Sequence, residues 1–436
     1  MERDPRQSID NGPLSIAQMV AIAVLVGLNA LDGFDVLSIS FASPGIAHEW
    51  GIDKAALGLV LSMELIGMAI GSLFIGGVSD KFGRRPVMLA CLVAMAGGML
   101  LATTAQNVQT LSLWRILTGV GVGGMLATTN AATAEIPNSK YRNLALAMMV
   151  IGYPIGGVVG GSVAKVLLAH GDWRPIFAFG GIATLVFVPL TWAFVPETVA
   201  FLCQRQPPNA LARINATLRR FRLDAVNALP TRTVVEQRAS LSDLFAPSFL
   251  ATTVFVTIAY SAHIISFYFI LKWIPKIVVD MGFAPTAAAG VLVWANVGGA
   301  SGGALLGLLT RHFALKTLTI GALLGSTLLL IIFGQSYASL AQLSLISACV
   351  GFFTNAGVVG LYATFAHAFP THIRATGTGF AIGIGRGASA LAPMIAGSLF
   401  RFGYSLQLVA IIMSMGSLIA LLSLTRLTLS PPNADN

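Results

Sequence analysis

Apolar residues gather in twelve runs along the chain. The first six lie near 17–39, 55–78, 86–105, 111–133, 143–168 and 174–195. A polar stretch from about Glu197 to Asp243 follows, and six more runs lie near 249–272, 287–309, 317–336, 340–366, 377–400 and 404–427. Each is close to the roughly 20 residues that cross the ~30 Å hydrocarbon core of a bilayer as a helix. The pattern predicts an all-α integral membrane protein with twelve transmembrane helices in two six-helix bundles. Its parts are an N-terminal tail (1–16), a first bundle (17–196), a linker (197–248), a second bundle (249–427) and a C-terminal tail (428–436). Two six-helix halves form an internal repeat, an arrangement transporters use with the substrate site at the interface near the midplane.

Composition sharpens the picture by exclusion. Of 436 residues, 56% are apolar and 10% are charged, against roughly 25% charged in an ordinary soluble domain. So few charges cannot cover a soluble surface, which excludes a soluble globular enzyme. The 46 glycines fit close helix contact in lipid. Gly67 and Gly71, then Gly152, Gly156 and Gly160, place small residues four apart on one helix face.

The 26 Lys+Arg against 17 Asp+Glu give a formal charge of +9, and the location of these charges matters most. The linker holds Arg205, Arg213, Arg219, Arg220, Arg222, Arg232 and Arg238, which assigns it to the cytoplasmic side. Six spans on either side then put both termini there. Lys81, Arg84, Arg85, Lys140, Arg142, Arg311, Lys316 and Arg374 fall on the same predicted inner side. The outer loops hold only Lys54, Arg174, Lys272, Lys276 and Arg401. The expected location is the plasma membrane, in a prokaryote the inner membrane. Met1 to Leu14 lacks the layout of a signal peptide, so the first run reads as a retained helix. Cys91, Cys203 and Cys349 point to no disulfide or metal site. No aromatic-interleaved basic patch points to nucleic acid. No phosphate-binding glycine loop or nucleophile–base set points to an ATP-driven pump or an enzyme. The expected surroundings are the bilayer, with no cofactor, and the chain is expected to work as a monomer.

Charges inside the apolar runs are the candidate chemistry, because each costs about 2.5–3.5 kcal/mol on insertion scales unless it meets a partner or an aqueous cavity. Asp32 and Asp35 stand three apart, so both carboxylates share one helix face. Two close carboxylates in low dielectric cannot both stay ionised easily, which makes one a usable proton acceptor; the alternative is that one of them caps a kink near Gly33. Arg386, in Gly383-Ile384-Gly385-Arg386-Gly387, stays charged and can hold a carboxylate by two parallel bonds, or can form a structural ion pair. Arg115 and Glu64 read equally well as proton-coupling groups or as structural ones. Lys165 reads as a snorkelling residue near a helix end. In the second half, His263, Trp273, Trp294, Asn296, Asn355 and Tyr362 are the polar or aromatic groups that a ring-bearing ligand can use.

The loop between the second and third runs carries Gly76, Asp80, Gly83, Arg84 and Arg85. Gly83 supplies a tight turn, Asp80 can accept bonds at a helix N-terminus, and the arginines can pair with acids. The loop reads as a charged latch at the cytoplasmic mouth, with Glu135 and Arg142 completing it. This Gly-three-Asp-two-Gly-Arg-Arg loop resembles the signature loop of the major facilitator superfamily, and Arg115 to Gly121 resembles that superfamily's fourth-helix motif. With the six-linker-six layout, the resemblance spans nearly the whole chain.

A narrower resemblance is to the aromatic acid:proton symporter family. It rests on Asp32-Gly33-Phe34-Asp35, on Trp273-Ile274-Pro275, and on Phe369-Pro370-Thr371-His372-Ile373-Arg374-Ala375-Thr376-Gly377 followed by Gly383-Ile384-Gly385-Arg386. It implies a proton-coupled symporter importing aromatic carboxylates such as hydroxybenzoates by alternating access. The paired acids and membrane-buried arginines are then tied to transport. Three features depart from the pattern: Arg311 stands where the second-half loop would carry an acid, Glu64 is an added charge, and Gly387-Ala388-Ser389 follows Arg386 in place of bulkier residues. An aliphatic dicarboxylate, a heteroaromatic acid, or export in place of import remain the alternatives.

Overall fold

The computed structural model describes residues 4–230, 241–335 and 339–427. Arg232 and Arg238 of the linker and the 428–436 tail lie outside the described residues. Twelve helical stretches are long and apolar enough to cross a membrane. The first six spans are Ile16–Trp50, Lys54–Phe82, Arg84–Ala102, Val108–Glu135, Ser139–Leu167 and Arg174–Phe194. The next four are Leu250–Asp280, Pro285–Leu309, Leu315–Phe333 and Leu340–Ala368. The eleventh comes in two pieces, Thr371–Ser389 and Leu391–Arg401, and the twelfth is Leu406–Arg426. The chain is an all-helical, multi-pass membrane protein.

Local chemistry sets where the helices start, stop and bend. Ser15 opens the first span with a capping box to Gln18, which satisfies two otherwise orphaned donors. Gly51, at φ 58°, closes the same span in the left-handed conformation that only glycine adopts cheaply. Inside the span, Pro44 removes the N–H that would reach the Ser40 carbonyl, and the Ser43 hydroxyl donates to that carbonyl instead, at 2.8 Å. Pro393 withholds its bond from Ser389 in the same way, and the eleventh span breaks at Ala390.

The spans alternate in direction, so the molecule has two ends. The linker end carries the short N-terminal helix Pro5–Asn11, which packs on the linker helices Val199–Arg205 and Ala210–Arg220. The far end carries the turns around Gly51 and Phe402. Large apolar side chains such as Val159, Ile182 and Leu422 remain exposed, as a lipid-facing surface requires. Between helices, small residues set the spacing. A Cβ on Gly67 or Gly71 of the second span would overlap the Ile116 or Val120 carbonyl of the fourth. Gly298 and Gly302 of the eighth span stand in the same way against Ala348 and Phe352 of the tenth. The halves meet where the first span packs on the seventh, the second on the eleventh and the fifth on the eighth.

The seventh span runs further than its apolar run, to Asp280, and takes in Lys272 and Lys276. Lys272, expected on an outer loop because the seventh apolar run stops there, is fully buried inside the seventh span. The helix continues through Trp273, Ile274 and Pro275 to Asp280, and Trp273 packs on Phe400 with ring centroids 5.1 Å apart.

Candidate functional site

Five charged side chains converge in the middle of the molecule. Asp32, Asp35, Glu64, Arg115 and Lys272 are all buried. Glu64 sits at their centre. Its Oε1 lies 2.5 Å from Arg115 Nη2 and its Oε2 lies 3.2 Å from Lys272 Nζ. Arg115 comes from the fourth span and Lys272 from the seventh, so one carboxylate is shared by a cation from each half. Both cations also reach the first span: Arg115 Nη2 donates to the Asp35 carbonyl at 2.9 Å, and Lys272 Nζ donates to the Val36 carbonyl. Arg115 further rests against Met99 Sδ at 2.9 Å and lies 5.2 Å from the Phe177 ring centroid. Glycine brings the backbones close enough for this. Gly119 of the fourth span abuts the Glu64 carbonyl, and Gly33 of the first span abuts the Tyr153 carbonyl of the fifth.

The Asp32 and Asp35 side chains are different. None of their four carboxylate oxygens has a hydrogen-bond partner among the described residues. Burying an ionised carboxylate without a donor is costly, so each oxygen is free to take a proton or an incoming donor. Asp35 feels the Arg115 charge, and Asp32 feels that of Arg386.

Arg386 approaches from the eleventh span and donates through Nη1 to Ser72 Oγ of the second span, across the two halves. Beside it, Gly385 leaves room for the Tyr260 ring. The Tyr260 and Tyr362 hydroxyls are 2.9 Å apart, and Phe365 packs edge-on to both rings at 5.5 and 5.9 Å. An arginine thus stands next to a cluster of three aromatic rings, a combination suited to a ligand with a carboxylate and a ring.

The Major Facilitator Superfamily family model matches residues 25–337. The chain belongs to the Major Facilitator Superfamily. It is 29% identical over 437 residues to the gallate transporter of Pseudomonas putida, covering 97% of this chain and 94% of that one. It is 27% identical to the 4-hydroxybenzoate transporter PcaK of Acinetobacter baylyi, with 88% and 85% covered. To the 3-(3-hydroxy-phenyl)propionate transporter of Escherichia coli it is 28% identical, with 88% and 87% covered. The crystal structure of a D-xylose–proton symporter superposes with a TM-score of 0.72 at 19% identity, covering 95% of this chain and 98% of that one; this likeness concerns the fold alone. The protein is a membrane transporter and not an enzyme.

The loop that resembles the superfamily signature forms a network at the linker end. Arg84 Nη1 lies 2.6 Å from Asp80 Oδ1, and its Nη2 lies 3.1 Å from Glu135 Oε1. The Thr198 hydroxyl donates to Glu135 Oε2 at 2.5 Å, and Arg205 Nε donates to the Asp80 carbonyl at 2.8 Å. Glu197 Oε1 accepts the Arg84 backbone N–H at 2.9 Å. Gly83 takes φ 108°, and a Cβ there would run into the Glu197 carboxylate. Burial pushes the Glu197 carboxyl above the ordinary glutamate value, against the pull of the N–H donors. Arg85 donates to the Trp192 carbonyl, and Gly76 merely faces Ala127. Arg142 stands apart from this network: it pairs with Asp10 of the N-terminal helix, not with Glu135.

The remaining candidates are spread through the second half. His263 is fully enclosed, with Nδ1 2.9 Å from Ser417 Oγ and Nε2 2.9 Å from the Thr354 carbonyl. A carbonyl can only accept, so Nε2 carries the proton and both ring nitrogens are committed to holding three spans together. Asn355 donates to the Gly299 carbonyl at 2.7 Å, and Asn296 donates back to Leu292 at 2.9 Å while its oxygen faces Gly157 of the fifth span. Trp294 is 53% exposed and lines an outer groove of about 340 Å³ with Lys165, away from the central charges. Lys272, Tyr260, Phe365 and Ser72 join the centre without having been singled out in the sequence. For Lys272 a signal was present, since apolar residues continue past it to Val279.

Proposed function

We propose that the protein is a proton-coupled symporter that takes up an aromatic carboxylate of the hydroxybenzoate type by alternating access, with the linker end facing the cytoplasm. The observation that carries this reading is the pair of buried carboxyls, Asp32 and Asp35, left without donors beside three cations. The cargo's carboxylate docks on Arg386, which exchanges Ser72 for a bidentate anion. Its ring lies against Tyr260, Tyr362 and Phe365. A proton taken by Asp35 or Asp32 offsets the negative charge brought in, so that the loaded protein can move as a less charged body through a dry interface. Relatives named for gallate, 4-hydroxybenzoate and 3-(3-hydroxy-phenyl)propionate support this cargo class, and the arginine-rich linker supports the orientation.

The test is uptake into proteoliposomes with an imposed proton gradient, using a panel of labelled aromatic and aliphatic acids. Concentrative uptake of a hydroxybenzoate, lost when the gradient is collapsed and lost in Asp35→Asn, is the expected result. Undiminished gradient-driven accumulation by Asp35→Asn removes that carboxyl from the mechanism. Preference for aliphatic dicarboxylates overturns the cargo assignment.

A further inference from the structure

The second span carries a ladder of contacts to the other half, and the ladder runs inward from the far end. At the rim, Asp53 Oδ2 lies 3.3 Å from Arg401 Nε. Lys54 Nζ lies 2.9 Å from Asp280 Oδ2 and 5.0 Å from the Phe400 ring centroid. One turn deeper, Gly58 meets Pro393 and Gly397 backbone to backbone. About 15 Å along the helix from Lys54, at 1.5 Å per residue, Glu64 meets Lys272. The exposure of these pairs falls along the way. The Arg401–Asp53 side chains are 65% and 50% exposed, whereas those of Lys272 and Glu64 are at 0%.

The innermost contact differs from the others in its chemistry. Removing one partner of a buried ion pair leaves an uncompensated charge, which is far costlier than losing a surface pair. Arg115 and Glu64 belong to the same half and can stay together while the halves move. Lys272 belongs to the other half. Its Nζ has two partners, Glu64 and the Val36 carbonyl, and both sit on first-half helices. Any motion that parts the halves at the far end must therefore take Lys272 from both at once.

We propose that Lys272 is a positioning residue for transport: by holding Glu64 and Val36 from the opposite half, it fastens the far end shut, and its release is the step that lets that end open. The proposal rests on the alternating-access reading but not on which acid is carried or on which aspartate takes the proton. Arg115, on the same half as Glu64, keeps that carboxylate neutralised in either posture; of its two cations, only Lys272 reports the separation of the halves.

The experiment uses the full chain in nanodiscs, with the three native cysteines replaced by alanine. Spin labels go on Thr104→Cys and Tyr404→Cys, exposed far-end positions on opposite halves. The parent protein is expected to show a predominantly short label distance. Lys272→Met is expected to shift the ratio of short to long distances about tenfold toward long, while Lys272→Arg, which keeps charge and donors, restores the short one. Should Lys272→Met fail to fold, Lys272→Gln, which removes the charge reaching across the halves while leaving Glu64 paired with Arg115, is read in the same way. Distance distributions identical to the parent in the readable variant overturn the proposal. Failure of the parent protein to take up aromatic acids, with the distances in the Lys272 variants shifting as expected, would instead count against the cargo assignment alone.

Discussion

At the scale of single residues, the structure separates polar groups that are committed from those that are free. His263 has both ring nitrogens bonded within its own half, whereas Arg386 reaches across the interface to a single serine hydroxyl. The two should answer mutation differently. His263→Ala removes the ring's bonds to the Thr354 carbonyl and to the Ser417 hydroxyl, which keeps Ser326 at 3.0 Å, at about 0.5–1.5 kcal/mol per bond, so the thermal midpoint falls while KM for the cargo holds. Arg386→Lys keeps the charge but loses the planar fork, so KM rises about tenfold, the loss of roughly 1.4 kcal/mol of a bidentate contact, with little change in the midpoint. Parallel thermal scans and uptake kinetics on the two variants check both outcomes. The buried charges were legible in the sequence because an acid or base inside an apolar run stands out. Lys272 was masked, because its charge interrupts the run, although the apolar residues that continue to Val279 carry the helix past it and turn it inward. The aromatic rings beside Arg386 were equally hidden, since tyrosine and phenylalanine in an apolar run look like any other lipid-compatible residue.

At the scale of helices, glycine positions decide which spans can touch. Gly156 of the fifth span is pressed against the Ala30 backbone of the first, while Gly97 of the third has open space where a side chain would go. Gly156→Leu forces the two helices apart and costs at least the roughly 1–3 kcal/mol of an overpacked core. It should sharply lower the yield of folded protein, and Gly97→Leu should leave it unchanged, as monitored by gel-filtration profiles in detergent. The four-residue glycine spacing on the second and fifth spans was visible in the sequence as a packing signal. Its partners were not, because spacing along one helix says nothing of which neighbour arrives. The same pairing in both halves, second on fourth and eighth on tenth, is the repeat expressed as contact geometry. The break in the eleventh span follows from Pro393, whose effect on the Ser389 carbonyl is local and readable.

At the scale of the whole molecule, the twelve-span layout followed from run lengths alone, since the bilayer imposes its thickness on every helix. What the runs left open was how each end is fastened. The linker end is held within the first half by Asp80, Arg84, Glu135, Glu197 and Thr198, and this network has a pH dependence with a definite sign. The Glu197 carboxyl is raised by burial in the folded protein, so the folded state holds its proton more tightly than the unfolded chain does. Stability then declines as pH climbs from the ordinary glutamate value, near 4.3, through the raised one. Glu197→Gln keeps an oxygen for the Arg84 N–H and cannot ionise. The variant should gain on the parent in thermal midpoint as pH rises from about 4 to about 8, and a constant difference across that range would exclude the effect.

The far end is fastened by ion pairs whose access to water falls steeply with depth. Dissolved salt screens the first of these and cannot enter to reach the last. In strong brine the collar around Arg401 and Asp53 should therefore loosen while the floor at Lys272 stays sealed, so that the far mouth widens without ever leaking.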